Sequence, residues 1–438
     1  MRHLKLLIAA AVFLFYVLAL VLDRAAGTIF GILVLSSLAT VAAGWCTAGQ
    51  SFRQFTKQHW LLDLAMAGPL IATLINLAST GHFDGKSIDL PSRLAMFALI
   101  FWVVQFVPHK HMKYMQWAFP IGAMLAVIKM VVLTDGGKLR YGTDFIPIII
   151  FSEMALLLGF FSACSIAWNS RNDRAAVLLK LLAVCATLYA AYISGSRGPW
   201  VTIPVFAVIA CVAAKEVGRK YKIAALTMLV AGAIVASQFS GIVRERIALA
   251  RSDIAQYSQG TNVDTSLGVR FQIWRGSWVM FKEHPIFGVG VRGYQPALQE
   301  LADRKVISPY TATYPHSHNE ILFMMARLGL FGLIAILAVY FVPAYYFMRA
   351  LRNDDREVRS VGSMGLALCI GILGLGLTDV VFLWWEIFPF YAISIAFFLT
   401  YIGKRKDFLQ HGDAERDAPR DSRSAFVKPA LAVDQAIQ

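Results

Sequence analysis

The sequence is poor in charged residues. Only 16% of its 438 residues are Asp, Glu, Lys or Arg, whereas 58% are hydrophobic. Soluble domains average about 25% charged residues. So few polar side chains cannot cover a soluble globular protein or keep a chain disordered in water. The composition excludes both of these classes and predicts a polytopic α-helical membrane protein, because outer-membrane barrels alternate polar and apolar residues instead.

Cysteine is also scarce, with five residues in the whole chain. All five lie in or beside apolar stretches, and their spacings do not match those of metal ligands. This pattern excludes a disulfide-stapled scaffold and is typical of packing residues. The five are Cys46, Cys164, Cys185, Cys211 and Cys369.

Long apolar runs are abundant and predict an all-α fold with about twelve transmembrane helices. The first run is longer than the apolar core of a secretory signal, about 7–15 residues, so we expect it to be retained as a helix. The predicted spans are residues 4–22, 25–46, 61–79, 94–107, 114–133, 146–168, 175–193, 200–214, 223–239, 318–347, 361–378 and 386–402.

The distribution of Lys and Arg predicts the orientation in the membrane. With the N-terminus inside, the inner segments carry 23 of these residues and the short outer loops carry 6. This bias predicts cytoplasmic N- and C-termini. The net charge of +14 is therefore assigned to membrane topology and does not indicate a nucleic-acid partner.

The spans divide the chain into four regions. Residues 1–239 hold the first nine spans, and residues 240–317 form a long outer loop with nine basic and six acidic residues. Two of its segments have an amphipathic helical pattern, 241–249 and 270–281. Spans ten to twelve follow in residues 318–402, and the polar residues 403–438 predict a disordered cytoplasmic tail.

Ionisable residues inside the spans or at their outer ends are costly in a bilayer and often functional. These residues are Lys129, Glu153, Lys180, Arg327, Asp379 and Glu386. All of them except Lys180 lie on or towards the outer side of the membrane, which predicts an outward-open polar cavity.

A glycine-flanked arginine marks the first candidate site. Arg197 lies in the outer turn Ser194–Trp200, between two spans. It could be an interfacial arginine that snorkels, or it could bind an anion. A second outer turn, Gly136–Gly142, contains Arg140. Its residues by themselves favour a solvated turn over a binding site.

The second candidate lies where the outer loop re-enters the membrane. His316, His318, Asn319 and Glu320 concentrate proton-transfer groups there, and a histidine can exchange a proton near neutral pH. A simple helix cap by Ser317 is the alternative. Two imidazoles at i and i+2 do not share a helix face and lack an evident third ligand, so we predict no metal ion.

The outer loop supplies a third, basic candidate, formed by Arg270, Arg275, Lys282 and Arg292. These residues could attract lipid headgroups or hold a lipid diphosphate, whose phosphates suit bidentate arginines. Residues 288–293 match the letters GxGxxG. We interpret them as a glycine turn, because the βαβ context of a dinucleotide site is missing.

Taken together, these motifs resemble the O-antigen ligase and polymerase family. The most specific match is His318-Asn319, followed by nine residues and then Gly329-Leu330-Phe331-Gly332. The Arg197 turn and Arg270 with its following Trp274 also fit the family, and the Arg140 turn fits it more weakly. Some members continue the last motif with two threonines, where this chain has Leu333-Ile334.

The resemblance implies a GT-C-like glycosyltransferase in the bacterial inner membrane, with a periplasmic active site. Its implied partners are a donor glycan on undecaprenyl diphosphate, a lipid A–core acceptor and membrane lipids, with no cofactor. Arg197 and Arg270 would bind the donor diphosphate, and His318 would be the catalytic base of a metal-independent, inverting transfer. Arg140, Arg292, His316, Asn319 and Glu320 are candidates for secondary substrate contacts.

The resemblance favours a ligase but leaves alternatives open. A polymerase of the same family would join lipid-linked repeat units to each other. A protein O-oligosaccharyltransferase shares the motifs but tends to carry further periplasmic sequence after the last spans. A lipid or polysaccharide transporter is a different class, and twelve spans would suit it, although the chain has no repeated halves.

Overall fold

A computed structural model describes residues 2–81, 85–139, 143, 145–169 and 173–417. Within these residues the chain is helical, and the only β-type pairing is an isolated bridge between Thr47 and Gln50. Short 3-10 helices cover Ser165–Trp168, Thr311–Thr313 and Val381–Leu383. The α-helices are α1 (Arg2–Leu18), α2 (Ala25–Ala42), α3 (Phe52–Gln58), α4 (Trp60–Thr80), α5 (Gly85–Ala95), α6 (Phe97–Val104), α7 (His109–Met112), α8 (Met115–Leu133), α9 (Ile148–Cys164), α10 (Arg174–Ile193), α11 (Arg197–Ala213), α12 (Arg219–Phe239), α13 (Gly241–Gln259), α14 (Ser266–Glu283), α15 (Tyr294–Asp303), α16 (Glu320–Ala350), α17 (Arg356–Gly376) and α18 (Ile387–Asp417).

The predicted all-α membrane fold is confirmed. In the described part of the chain, nine helical segments are long and apolar enough to cross a bilayer. Their bounds are Ala25–Ala42, Trp60–Thr80, Gly85–Val104, His109–Leu133, Ile148–Trp168, Arg174–Ile193, Glu320–Ala350, Arg356–Gly376 and Ile387–Gln410. The other three predicted spans fall on α1, α11 and α12, which are also helical.

The centre of the bundle is formed by the last helices of the chain. The apolar windows of α17 and α18 are each 83% buried, whereas that of α10 is 39% buried. Small residues allow this close packing. Gly365 of α17 faces the ring of Phe347 on α16, where an added Cβ would collide with the ring. Without a hydrophobic driving force inside lipid, such close contacts hold helices together.

The long outer loop is folded rather than extended. It contains three helices, α13 to α15, where the sequence pattern predicted two amphipathic segments. Apolar side chains of α14 and α15 pack on the start of α16 and form a second small core. This core includes Val269, Ile273, Leu298, Leu301 and Phe323.

A glycine kink links this outer region to α16. Gly329 has φ 63° and ψ −145°, which interrupts the helix. The carbonyls of Ala326 and Arg327 instead accept hydrogen bonds from the N–H groups of Val289 and Gly290, at 2.9 and 3.0 Å. Leu330 N–H donates to Pro285 O at 2.9 Å. The 288–293 turn therefore holds the interrupted helix α16 through backbone hydrogen bonds. Its conformation is consistent with the glycine turn predicted from its sequence.

The end of the chain differs from the prediction at its boundary. The last helix, α18, continues to Asp417, whereas the sequence predicted a disordered tail from residue 403. Its apolar span is followed by a polar helical extension because residues 404–417 contain few helix-breaking residues. Residues 418–438 lie outside the described residues.

Candidate functional site

The segment 316–319 turns sharply before α16 begins. His318 has φ 50°, in the left-handed region that non-glycine residues rarely adopt. Its N–H donates to Nδ1 of His316 at 3.3 Å. Behind it, Trp274 Nε1 donates to the carbonyl of Ser317 at 3.1 Å. Hydrogen bonds on both sides therefore hold His318 in a conformation that the isolated chain would not favour.

Asn319 and Glu320 fasten the start of α16 to the segment after α17. Asn319 is the N-cap: its side chain accepts from Leu322 N–H at 3.0 Å and donates to Leu377 O at 3.3 Å. Glu320 is buried, and its carboxylate accepts from Phe382 N–H at 2.9 Å. Both residues therefore act within the fold and fix the position of the segment between residues 377 and 382.

That segment carries Asp379, which faces both histidines. Its Oδ1 lies 3.5 Å from Nδ1 of His318 and 4.0 Å from Nδ1 of His316. Burial alone would raise the pKa of Asp379, but the His318 ring, the Val380 N–H and the charges of both histidines hold it below its ordinary value. Asp379 is therefore a carboxylate across the physiological pH range.

His316 differs from His318 in its environment. Burial and, to a lesser extent, the neighbouring His318 lower the pKa of His316 to about 4, although the Asp379 carboxylate opposes both effects. At neutral pH His316 is uncharged. Because its Nδ1 accepts the His318 N–H, its proton resides on Nε2.

The two histidines and Asp379 could also hold a metal ion. Their candidate ligand atoms all lie within 4.8 Å of one another. The sequence reasoning found no third ligand beside the histidines, and on this point it was wrong, since Asp379 supplies a carboxylate. Two imidazoles and one carboxylate are a known ligand set for divalent metals.

On its other side His318 lines a polar cavity of about 360 Å³. Arg270, which projects from α14, lines the same cavity, together with the aromatic rings of Tyr310 and Tyr314. The Tyr314 ring packs edge-on against the His318 ring, with centroids 5.7 Å apart. A cation, aromatic faces and an imidazole thus surround one space large enough for part of a sugar.

Asp264 completes the cavity wall at the start of α14. Its carboxylate accepts from the Ser308 hydroxyl and from Nε2 of Gln272, the latter at 3.3 Å. Ser308 N–H in turn donates to Gln272 Oε1 at 2.7 Å. These bonds join the start of α14 to the segment that follows α15, which places Arg270 opposite the 310–318 segment.

The Arg197 turn approaches from the other direction. Helix α11 begins at Arg197, and its next residue, Gly198, faces Thr378: a Cβ added at Gly198 would lie 3.7 Å from the Thr378 hydroxyl. Thr378 directly precedes Asp379. The backbone of Arg197 therefore lies beside the segment that faces both histidines.

The remaining candidate arginines are Arg292, Arg140 and Arg327. Arg292 is exposed just before α15, and Arg140 lies outside the described residues. Arg327 is held within the fold: its Nε and Nη2 donate to Val291 O at 3.1 and 2.8 Å, and its guanidinium lies over the Phe323 ring. The fold thus brings Arg270 and His318 to one cavity and does not bring Arg327 there.

Comparison with known proteins gives consistent results. A family model described as O-Antigen ligase matches residues 181–337. An "O-antigen ligase" of Escherichia coli (strain K12) is 26% identical over 278 residues, covering 62% of this chain and 62% of that relative. An "Uncharacterized protein" of Haemophilus influenzae is 29% identical over 290 residues, covering 65% of this chain and 72% of that relative. The family match includes the Arg197 turn, Arg270 and His318.

Proposed function

We propose that the chain acts as an O-antigen ligase, the family that its sequence matches, and that it transfers a polysaccharide from undecaprenyl diphosphate to a sugar hydroxyl of lipid A–core. The observation that carries this proposal is the shared cavity of Arg270 and His318, with Asp379 behind the histidine. A cation and a proton acceptor on one cavity suit a reaction in which a phosphate leaves and a hydroxyl attacks.

Arg270 and Arg197 neutralise the leaving diphosphate. Cleavage of the bond between the anomeric carbon and the phosphate oxygen leaves negative charge on the diphosphate. A guanidinium pairs with phosphate oxygens through two parallel hydrogen bonds. In a partly dry cavity such fixed charges act more strongly than in water.

His318 acts as the general base. Its Nδ1 is turned towards Asp379, so Nε2 is the nitrogen left to take the proton of the acceptor hydroxyl. The acceptor oxygen forms a bond to the anomeric carbon as the diphosphate departs, and the imidazolium that results is stabilised by the Asp379 carboxylate. One direct displacement inverts the anomeric configuration.

No metal ion or other cofactor is needed in this mechanism. Asp379 stabilises positive charge on the His318 ring directly, and the arginines take the role that a divalent cation has in many glycosyltransferases. The same three ligand groups would instead hold a metal if the enzyme requires one. Chelation separates the two mechanisms.

The active site faces the periplasm, and both termini lie in the cytoplasm of the bacterial cell. This orientation is supported by the excess of Lys and Arg on the opposite side, 23 against 6. Single-cysteine labelling with an impermeant reagent, in a background without native cysteines, tests it. Position 270 should be labelled in intact spheroplasts and position 220 only after permeabilisation, whereas the reverse would contradict the topology.

Incubation of the purified protein with lipid-linked glycan and lipid A–core tests the proposed reaction. We expect a glycan–core product from the wild type and from His284→Ala, which removes an exposed histidine of the same outer region. His318→Ala should form almost no product.

The same incubation distinguishes the alternatives. A lengthened lipid-linked glycan in the absence of core would indicate a polymerase. Transfer to a protein hydroxyl would indicate a protein O-oligosaccharyltransferase. Movement of the lipid across a vesicle membrane without any glycosidic product would indicate a transporter and contradict the proposal.

A further inference from the structure

Helix α13 turns one face towards the rest of the protein. Partly buried residues recur along it at Val243, Arg246, Ala250, Asp253 and Tyr257, a spacing of three or four residues. Two of these positions contact α14: Leu267 N–H donates to Asp253 at 3.3 Å, and the Tyr257 ring meets Phe271. Arg246 therefore lies on the packed face of α13, on the side away from solvent.

The guanidinium of Arg246 lies against the Gly195 turn. Gly195 has φ 59°, and a Cβ built there would be 3.4 Å from Nη2 and 3.5 Å from Nε of Arg246. The guanidinium is therefore within van der Waals reach of this turn. Tyr192, three residues earlier, is hydrogen-bonded to Ser240 at 2.9 Å, which fixes the start of α13 against this turn.

Among the described residues, the Arg246 guanidinium has neither a hydrogen-bond acceptor nor an ion-pair partner. Its Nε is shielded from solvent and has no hydrogen-bond acceptor among the described residues. The salt bridges found in that part of the chain do not include Arg246. A buried guanidinium nitrogen without an acceptor is costly, and most such groups are paired in native structures. The missing acceptor is therefore expected to come from a ligand.

The position of this guanidinium indicates the ligand class. Gly195 is two residues from Arg197, where α11 begins, and Gly198 faces Thr378 beside Asp379. Arg246 thus lies at the same turn from which Arg197 begins α11. A fork of N–H donors at this point matches the oxygens of a phosphate group.

We propose that Arg246 is a further phosphate ligand, which binds the diphosphate of the lipid donor beside Arg197. This inference rests on the proposed function. A diphosphate has two phosphate groups, so Arg246 and Arg270 can reach it from separate helices, α13 and α14. Contacts of Asp253 and Tyr257 with α14 pack the two helices against each other.

Donor binding by purified variants in nanodiscs tests this proposal. Arg246→Ala and Arg246→Gln are compared with Arg251→Ala, which removes an exposed arginine from the same helix. The probes are undecaprenyl diphosphate and undecaprenyl monophosphate. We expect both Arg246 variants to weaken diphosphate binding about 10- to 100-fold, the usual effect of losing hydrogen bonds to a charged group. Monophosphate binding should change less, and Arg246→Lys should restore only part of the affinity.

The controls separate folding from ligand binding. Each variant is first compared with the wild type in thermal melting and size-exclusion elution. A merely structural arginine would weaken the binding of both lipids equally, and the loss would track the change in Tm. That result, or diphosphate binding by both Arg246 variants equal to that of Arg251→Ala, would overturn the inference while leaving the proposed function intact. Wild-type protein that transfers no glycan and binds no diphosphate would overturn both.

Discussion

The two sides of the cavity are built by different means. On the histidine side, hydrogen bonds accepted by His316 and donated by Trp274 and Asn319 hold the strained turn at His318 in place. On the arginine side, Arg270 projects from α14, which packs against α13 and the start of α16 through apolar and aromatic contacts. Proton transfer requires one nitrogen at one distance, whereas an anion can be held by any nearby fork of donors. The hydrogen-bonded turn therefore suits proton transfer, and the arginine carried by a helix suits anion binding.

Substitution of His318 should cause the largest loss of transfer activity. Without the base, His318→Ala should lose about 10²–10⁴-fold in transfer rate, the usual contribution of general base catalysis. Initial rates of glycan–core formation measure this loss. His284→Ala controls for removal of a histidine, and a His318→Ala rate near wild type would mean that the acceptor needs no protein base.

Substitution of Asp379 tests whether the histidine acts with a carboxylate. Asp379→Asn keeps the shape of the side chain but removes the charge that stabilises the imidazolium. We expect a loss on the order of 10²-fold or more in single-turnover rate, as for other histidine–carboxylate pairs. The donor Kd should be unchanged. A weaker donor Kd with an unchanged rate would assign Asp379 to substrate binding instead.

Substitution of Arg270 should weaken the arginine side more moderately. Arg270→Lys keeps the charge but removes the fork geometry, so donor affinity should fall roughly 10-fold. Titration with undecaprenyl diphosphate measures it, and Arg251→Lys on the exposed face of α13 is the matched control. Full affinity in Arg270→Lys would show that charge alone suffices.

The pH dependence of stability sharpens the contrast between the two histidines. His316 titrates near 6.5 in the unfolded chain but at about 4 in the fold. Between these values the unfolded state binds more protons, so stability falls as pH drops from about 6.5 towards 4. We expect the wild type to lose about 2–4 °C more in Tm than His316→Gln between pH 7 and 5. Parallel curves for the two proteins would contradict this assignment.

Chelation should have the smallest effect. Because Asp379 can stabilise the His318 imidazolium directly, transfer should persist after exhaustive treatment with EDTA. The measurement is the initial rate before and after chelation, with Mg²⁺, Mn²⁺ and Zn²⁺ added back. Loss restored by one metal would assign His316, His318 and Asp379 as its ligands.

Local patterns in the sequence predicted the membrane helices well, because hydropathy and span length are properties of contiguous residues. They also predicted Arg270 and His318 as site residues, since each lies in a motif. Asp379 was recognised only as an ionisable residue at the end of a span, because its partner histidines lie far away in the chain. Arg246 resembled any other basic residue of an amphipathic helix. Its position depends on the packing of α13 against α14 and against the turn that follows α10, which local patterns do not encode.

The motif glycines show the same limit. The spacing of Gly329 from His318 was evident in the sequence, but its purpose was not. In the fold, Gly329 breaks α16 and frees two carbonyls, which accept hydrogen bonds from the 288–293 turn. The motif therefore links α16, which begins just after the histidine, to the 288–293 turn through backbone hydrogen bonds. A pattern of side chains does not predict this link.

The central claim is that one cavity holds both an arginine that binds the donor and a histidine that accepts the proton of the acceptor hydroxyl. The most direct test measures donor Kd and single-turnover transfer rate side by side for His318→Ala and Arg270→Ala, each with a wild-type melting curve. We predict that His318→Ala binds the donor like the wild type but transfers about 10²–10⁴-fold more slowly, whereas Arg270→Ala binds the donor more weakly. Equal losses of binding in both variants, or normal transfer by His318→Ala, would contradict the account.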